Sequence, residues 1–259
     1  MNMTASTIRR LAAPLLLLCL AACSAEPTSA PRSPIKQAND LAPLRPCPAS
    51  SWKPEAPPPT ASVKVSLVLL AVQEWGRFGK QTITFPLNGA PRTETLGIRE
   101  KDAPERVADY WRAVDQPGRS GMDDIAWSAA FISWAVASAG VPRDLFCPDQ
   151  RHTIYVERIV ERAKRPGAAL IPHRIEAYAP KVGDLVCASR EGSGTTLDNL
   201  NRGAGHCDIV VETKPGEIHT IGGNLGDSVS RSIFPSTASG LMTPLSGRPF
   251  FAVIENRLP

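Results

Sequence analysis

Little in this sequence ties it to nucleic acid or to nucleotides. Its formal charge is only +4, from 29 Lys and Arg against 25 Asp and Glu. No basic helix and no alternation of aromatic with basic residues is present, so nucleic acid is not an expected partner. No glycine loop of the kind that cradles phosphate occurs, and no internal repeat divides the chain. Long apolar runs are missing too. The longest, Leu11 to Leu20, is shorter than an ordinary membrane-spanning helix requires.

That short run has a use of its own. Arg9 and Arg10 precede it, and it closes on Leu20-Ala21-Ala22-Cys23. The pattern is that of an export signal over residues 1–23, and its end resembles the lipobox of bacterial lipoproteins. The resemblance implies that Cys23 is lipidated and becomes the first residue of the mature chain. With Ser24 next to it, it also implies anchoring in the periplasm, at the outer membrane. Loss of Arg9 and Arg10 with the signal leaves a charge of +2.

Residues 24–61 are rich in Pro, Ala and Ser and lack apolar periodicity, which predicts a semi-extended tether stiffened by Pro57-Pro58-Pro59. Cys47 is the residue that a free tether has no use for. Residues 62–259 suffice for one domain with a sizeable core. Helices are expected at Ser62–Phe78, Pro104–Val114 and Thr153–Lys164, with another over the central stretch from Asp123 to Gly140. Short strands are expected at 168–175, 184–188, 207–212, 217–222, 228–234 and 250–254. Helices followed by strands predict an α+β fold, with N-terminal helices packed on an antiparallel sheet. The tryptophans Trp75, Trp111, Trp127 and Trp134 read as core anchors.

The central helix carries the first chemical candidate. Asp123 and Asp124 are expected to cap it, and Gly140 with Pro142 to stop it. Ser128, Phe131, Ile132, Ala135 and Ala139 share a stripe that faces inward. Ser128 is thus a buried hydroxyl in the first turn, near the helix end that stabilises negative charge. Two readings stay open for it, a nucleophile or a small residue that permits close packing. Further on, Gly205-His206-Cys207-Asp208 opens a strand on which His206, Asp208 and Val210 share one face. A strand-borne imidazole suits a general base. Asn224, after Gly222 and Gly223, is either a turn former or an amide that orients the imidazole.

Taken together, the Ser128 helix, Pro180-Lys-Val-Gly183-Asp-Leu-Val, Gly205-His206-Cys-Asp-Ile-Val and the strand ending in Asn224 resemble the NlpC and CHAP families of bacterial cell-wall hydrolases, small relatives of papain. Trp127-Ser-Ala-Ala-Phe-Ile-Ser133, Gly183-Asp-Leu-Val-Cys187, His206-Cys-Asp-Ile-Val210 and Gly222-Gly-Asn224 more closely resemble a bacterial family catalogued as domain of unknown function 2272. The resemblance implies an NlpC/CHAP-like papain-type fold over about residues 62–257. It also implies a site with Ser128 as nucleophile, His206 as base and Asn224 as orienter. The implied partner is peptidoglycan or its muropeptides, reached from a lipid anchor in the membrane. One departure stands out, since those hydrolases use Cys where this chain has Ser128, and a serine hydroxyl is much harder to deprotonate. Two functions are therefore expected: cleavage of an amide or peptide bond in peptidoglycan, or a hydrolase-derived module that binds the wall or a protein partner without cleaving.

With Cys19 removed and Cys23 lipidated, Cys47, Cys147, Cys187 and Cys207 remain, an even number for an oxidising compartment. Cys187 and Cys207 fall on neighbouring strands, which predicts a disulfide between them and leaves Cys47 to pair with Cys147. Neighbouring ligands on one strand point to opposite faces, so neither a zinc site from Cys187, His206 and Cys207 nor a Cys207 nucleophile is expected. No metal and no cofactor is expected.

Overall fold

A computed structural model describes residues 43–54, 62–190, 192–200 and 203–259. The expected export signal with Cys23, and part of the expected tether, lie outside these residues. Among the described residues, no helix is long and apolar enough to cross a membrane.

Among the described residues the fold is α+β, with four α-helices on an eight-stranded sheet. α1 (Val63–Arg77) starts where the Ser62 hydroxyl accepts the Val65 N–H at 3.2 Å. α2 (Pro104–Arg112) has its proline at the first turn, where a missing N–H costs nothing. α3 (Ser128–Ser138) stops before Gly140, whose positive φ of 89° suits a residue without a side chain. α4 (His152–Ala163) completes the helical layer.

α3 differs from expectation in two ways. It begins at Ser128, and no acidic residue lies in its first turn. Asp123 instead accepts the Ser120 N–H at 2.7 Å, closing a local turn, an alternative that Asp side chains readily offer the backbone. The inward stripe is also too narrow a description. Except for Ala137, every residue from Ser128 to Ser138 is buried, as befits a helix enclosed on all sides.

The strands are β1 (Thr82–Thr84), β2 (Arg92–Thr95), β3 (Leu170–His173), β4 (Leu185–Ser189), β5 (Gly205–Lys214), β6 (Glu217–Gly222), β7 (Ser230–Pro235) and β8 (Phe250–Asn256). Their order in the sheet is β2-β1-β7-β6-β5-β4-β8-β3. β3 to β8 are the strands expected from the sequence, and their pairings with one another are antiparallel. β1 and β2 fall in a segment expected to be turns. β1 runs parallel to β7, which makes the sheet mixed.

The two faces of the sheet differ. Leu185, Cys187, Cys207, Ile209, Ile221 and Ile254 pack with the helices in the larger core. Val186, Ala188, Val210 and Val253 belong to a smaller core on the other face, closed by Phe234, Met242 and Leu245. Cys187 and Cys207 oppose each other on β4 and β5 and form a disulfide. A second disulfide joins Cys47 to Cys147. It holds residues 43–54 against the domain, where Trp52 packs on the core and Arg143 donates to the Pro48 carbonyl at 2.8 Å.

Candidate functional site

Two helix starts meet at the end of β6. Ser128 is the first residue of α3 and His152 the first of α4. The Ser128 Oγ and the His152 Nε2 lie 2.7 Å apart, both side chains almost wholly buried. β6 ends at Gly222, one residue past Ile221, which pairs with Ile209. The Cys207 N–H on that flank therefore has no strand partner. It donates to the His152 Nδ1 at 3.2 Å, so the imidazole takes the place that a further β6 carbonyl would fill.

That backbone contact decides the chemistry of the pair. An amide N–H can only donate, so the Nδ1 it meets carries no proton. Burial, and after it the neighbouring His206, push the His152 imidazole well below its ordinary range, so the ring is neutral. Its single proton is then on Nε2, and His152 donates to the Ser128 hydroxyl instead of accepting from it. The Tyr155 hydroxyl lies 2.5 Å from the same Nδ1, and burial pushes its ionisation well up, so it stays protonated and able to donate there.

On the other face of β5 stands a second group. His206 and Asp208 are two residues apart and project to the same side, with the His206 Nε2 2.8 Å from the Asp208 Oδ1. Arg248 donates to the Asp208 Oδ2 at 2.7 Å. Burial works against the Asp208 carboxylate, but His206 and then Arg248 outweigh it and hold it down at about 2. An ionised Asp208 accepts the His206 Nε2–H and leaves His206 Nδ1 as the unprotonated nitrogen. Burial pushes His206 down as well, against the pull of Asp208. The His152 and His206 rings lie 5.3 Å apart between centroids.

The double glycine belongs to this arrangement. A Cβ at Gly222 would lie 1.8 Å from the Asp208 Oδ1, and one at Gly223 would lie 2.6 Å from the Phe131 Cβ. Asn224 follows with φ at 57° and donates to Glu100 at 3.1 Å, beside the Trp127 indole that donates to the same carboxylate.

A family model described as an uncharacterized protein conserved in bacteria, DUF2272, matches residues 106–254. The chain belongs to this family. No curated protein and no solved structure matches it. The span matched to DUF2272 contains Ser128, His152, His206, Asp208, Asn224 and Arg248.

Of the residues singled out from sequence, the fold brings Ser128 and His206 to one neighbourhood but joins neither to the other. Among the described residues Ser128 has His152 as its side-chain partner, His206 has Asp208, and Asn224 has Glu100. His152 and Asp208 were missed. His152 falls one residue before the expected start of its helix, and its pairing with Ser128 is purely tertiary. Asp208 had a readable signal, because strand alternation already puts it beside His206.

Proposed function

We propose that this is a lipid-anchored periplasmic protein that binds peptidoglycan fragments on an NlpC/CHAP-like papain-type scaffold without cleaving them. The export pattern ending in Cys23 supports the location, and the resemblance to wall hydrolases supports the ligand. The observation that carries the absence of cleavage is the hydrogen bond from the Cys207 amide to the His152 Nδ1. It favours the tautomer in which His152 donates to Ser128, and a donor does not remove the serine proton. Ser128 then serves to satisfy a buried imidazole N–H.

One observation favours a second reading, hydrolysis with Ser128 as nucleophile and His206 as base, with Asp208 in place of Asn224 as the group that orients the imidazole. His206 is held by an ionised Asp208 with Nδ1 unprotonated, the state a general base requires. Binding of substrate would then have to bring Ser128 and His206 together, with the free amides at the start of α3 receiving the oxyanion.

Incubating the mature chain with purified muropeptides, with mass readout, separates the two. The first reading predicts unchanged masses. The second predicts cleavage that Ser128→Ala abolishes. That variant leaves the His152 Nε2–H without its acceptor, a cost of about 1–3 kcal/mol, so its folding is checked in parallel by thermal unfolding. Cleavage by the folded wild type, lost in a folded Ser128→Ala, would overturn the binding-only reading.

A further inference from the structure

A groove of about 630 Å³ opens at the end of β4, a volume ordinary for a small-ligand site. Pro249, Phe250, Phe251 and Ile175 give it an apolar lining, and Arg190 and Arg174 give it positive charge. It lies close to the buried centre. Phe250, Ala188 and His206 stand in a row across β8, β4 and β5, so the groove is two strand spacings, roughly 10 Å, from His206.

Its two arginines are not equivalent. Arg174 is engaged by Asp198 at 2.8 Å. Arg190 is exposed and has no ion pair or side-chain hydrogen bond among the described residues. Its backbone is nonetheless fixed, because the Arg190 N–H donates to the Ala204 carbonyl at 3.0 Å. The turn that follows is tied down as well. Ser189 Oγ accepts the Thr195 N–H at 3.0 Å, and the Thr195 hydroxyl donates to the Ala204 carbonyl at 2.9 Å. The Arg190 charge also reaches inward, where it is one of the influences that push both buried imidazoles down.

A guanidinium with no partner among the described residues, held above an apolar floor, fits an anionic group attached to an apolar one. Planar guanidinium matches planar carboxylate through two parallel hydrogen bonds. Glu176 lines the same groove and repels a multiply charged anion such as phosphate more strongly than a singly charged carboxylate. We propose that the groove binds the C-terminal carboxylate of a short peptide ending in a small apolar residue, with Arg190 as its anchor. This deepens the wall-binding reading and rests on it for the source of the peptide.

The test is calorimetric titration of the mature chain with a synthetic stem tetrapeptide ending in D-Ala, as the free acid and as the C-terminal amide. Wild type is expected to favour the acid by about three- to tenfold, between the value of an exposed ion pair and that of a charge-assisted bond. Arg190→Gln, a change at an exposed side chain, is expected to erase that preference, so that acid and amide bind with equal affinity. Equal binding of acid and amide by wild type, a preference that survives Arg190→Gln, or no binding of either peptide would overturn the inference. Sacculus binding measured on the same preparations keeps the failures apart. A protein that binds sacculi without preferring the acid defeats the groove proposal alone. One that prefers the acid but ignores sacculi defeats the wall reading and leaves the peptide site standing.

Discussion

Ser128 and His152 meet only because two helix starts and one truncated strand converge. Had β6 continued for two more residues, the Cys207 N–H would have found a carbonyl, and the imidazole could have taken either tautomer. The burial that keeps the rings neutral also sets the response to acid. His152 and His206 both have folded pKa values below the ordinary histidine value of 6.5, so the native state resists protonation that the unfolded chain accepts. Their contribution to stability is complete above that value and is lost as pH falls below it, at up to about 1.4 kcal/mol per pH unit for each ring. Asp208, held at about 2, adds a loss of the same sign only below the ordinary carboxylate value of 3.8. Thermal unfolding between pH 7.5 and 5 is therefore expected to show a falling Tm, steeper than in His152→Gln. A Tm independent of pH over that range would mean the imidazoles are not buried neutral. Sequence alone could place His206 and Asp208 on one face, because alternation is a local property. It could not place His152 against Ser128, because that contact spans 24 residues and depends on where β6 stops.

Among the elements, those with strong apolar patterns were legible and those without were not. α1, α2 and α4 and the six strands from β3 to β8 follow from periodicity and turn residues. β1 is three residues long, and β2 is exposed throughout, so neither carries an apolar signal. The start of α3 was misplaced because Asp123 can cap a helix or close a turn, and only its contact with Ser120 tells which. The segment 43–54 has no helix or strand and depends on the Cys47–Cys147 bond and a few contacts. That bond joins residues 100 apart in sequence, for which chain entropy gives about 4–5 kcal/mol. Replacing both cysteines by alanine is expected to lower Tm by about 10–15 °C, at about 2–4 °C per kcal/mol for a domain of this size. The same variant should become sensitive to proteolysis within 43–54. A Tm within a degree or two of wild type would show that the segment is held by other means.

For the whole molecule, the order of elements was enough for the α+β class, while the parallel entry of β1 beside β7 was not predictable from a segment so short. The family match covers the helices and strands that build the buried centre. The molecule presents a closed Ser128–His152 pair, with an open groove beside it. The most direct measurement is incubation of the mature chain with purified sacculi, followed by sedimentation, with protein measured in the pellet and fragments by mass in the supernatant. The account predicts protein in the pellet and no released fragments. Fragments released by wild type and absent with a folded Ser128→Ala would contradict it.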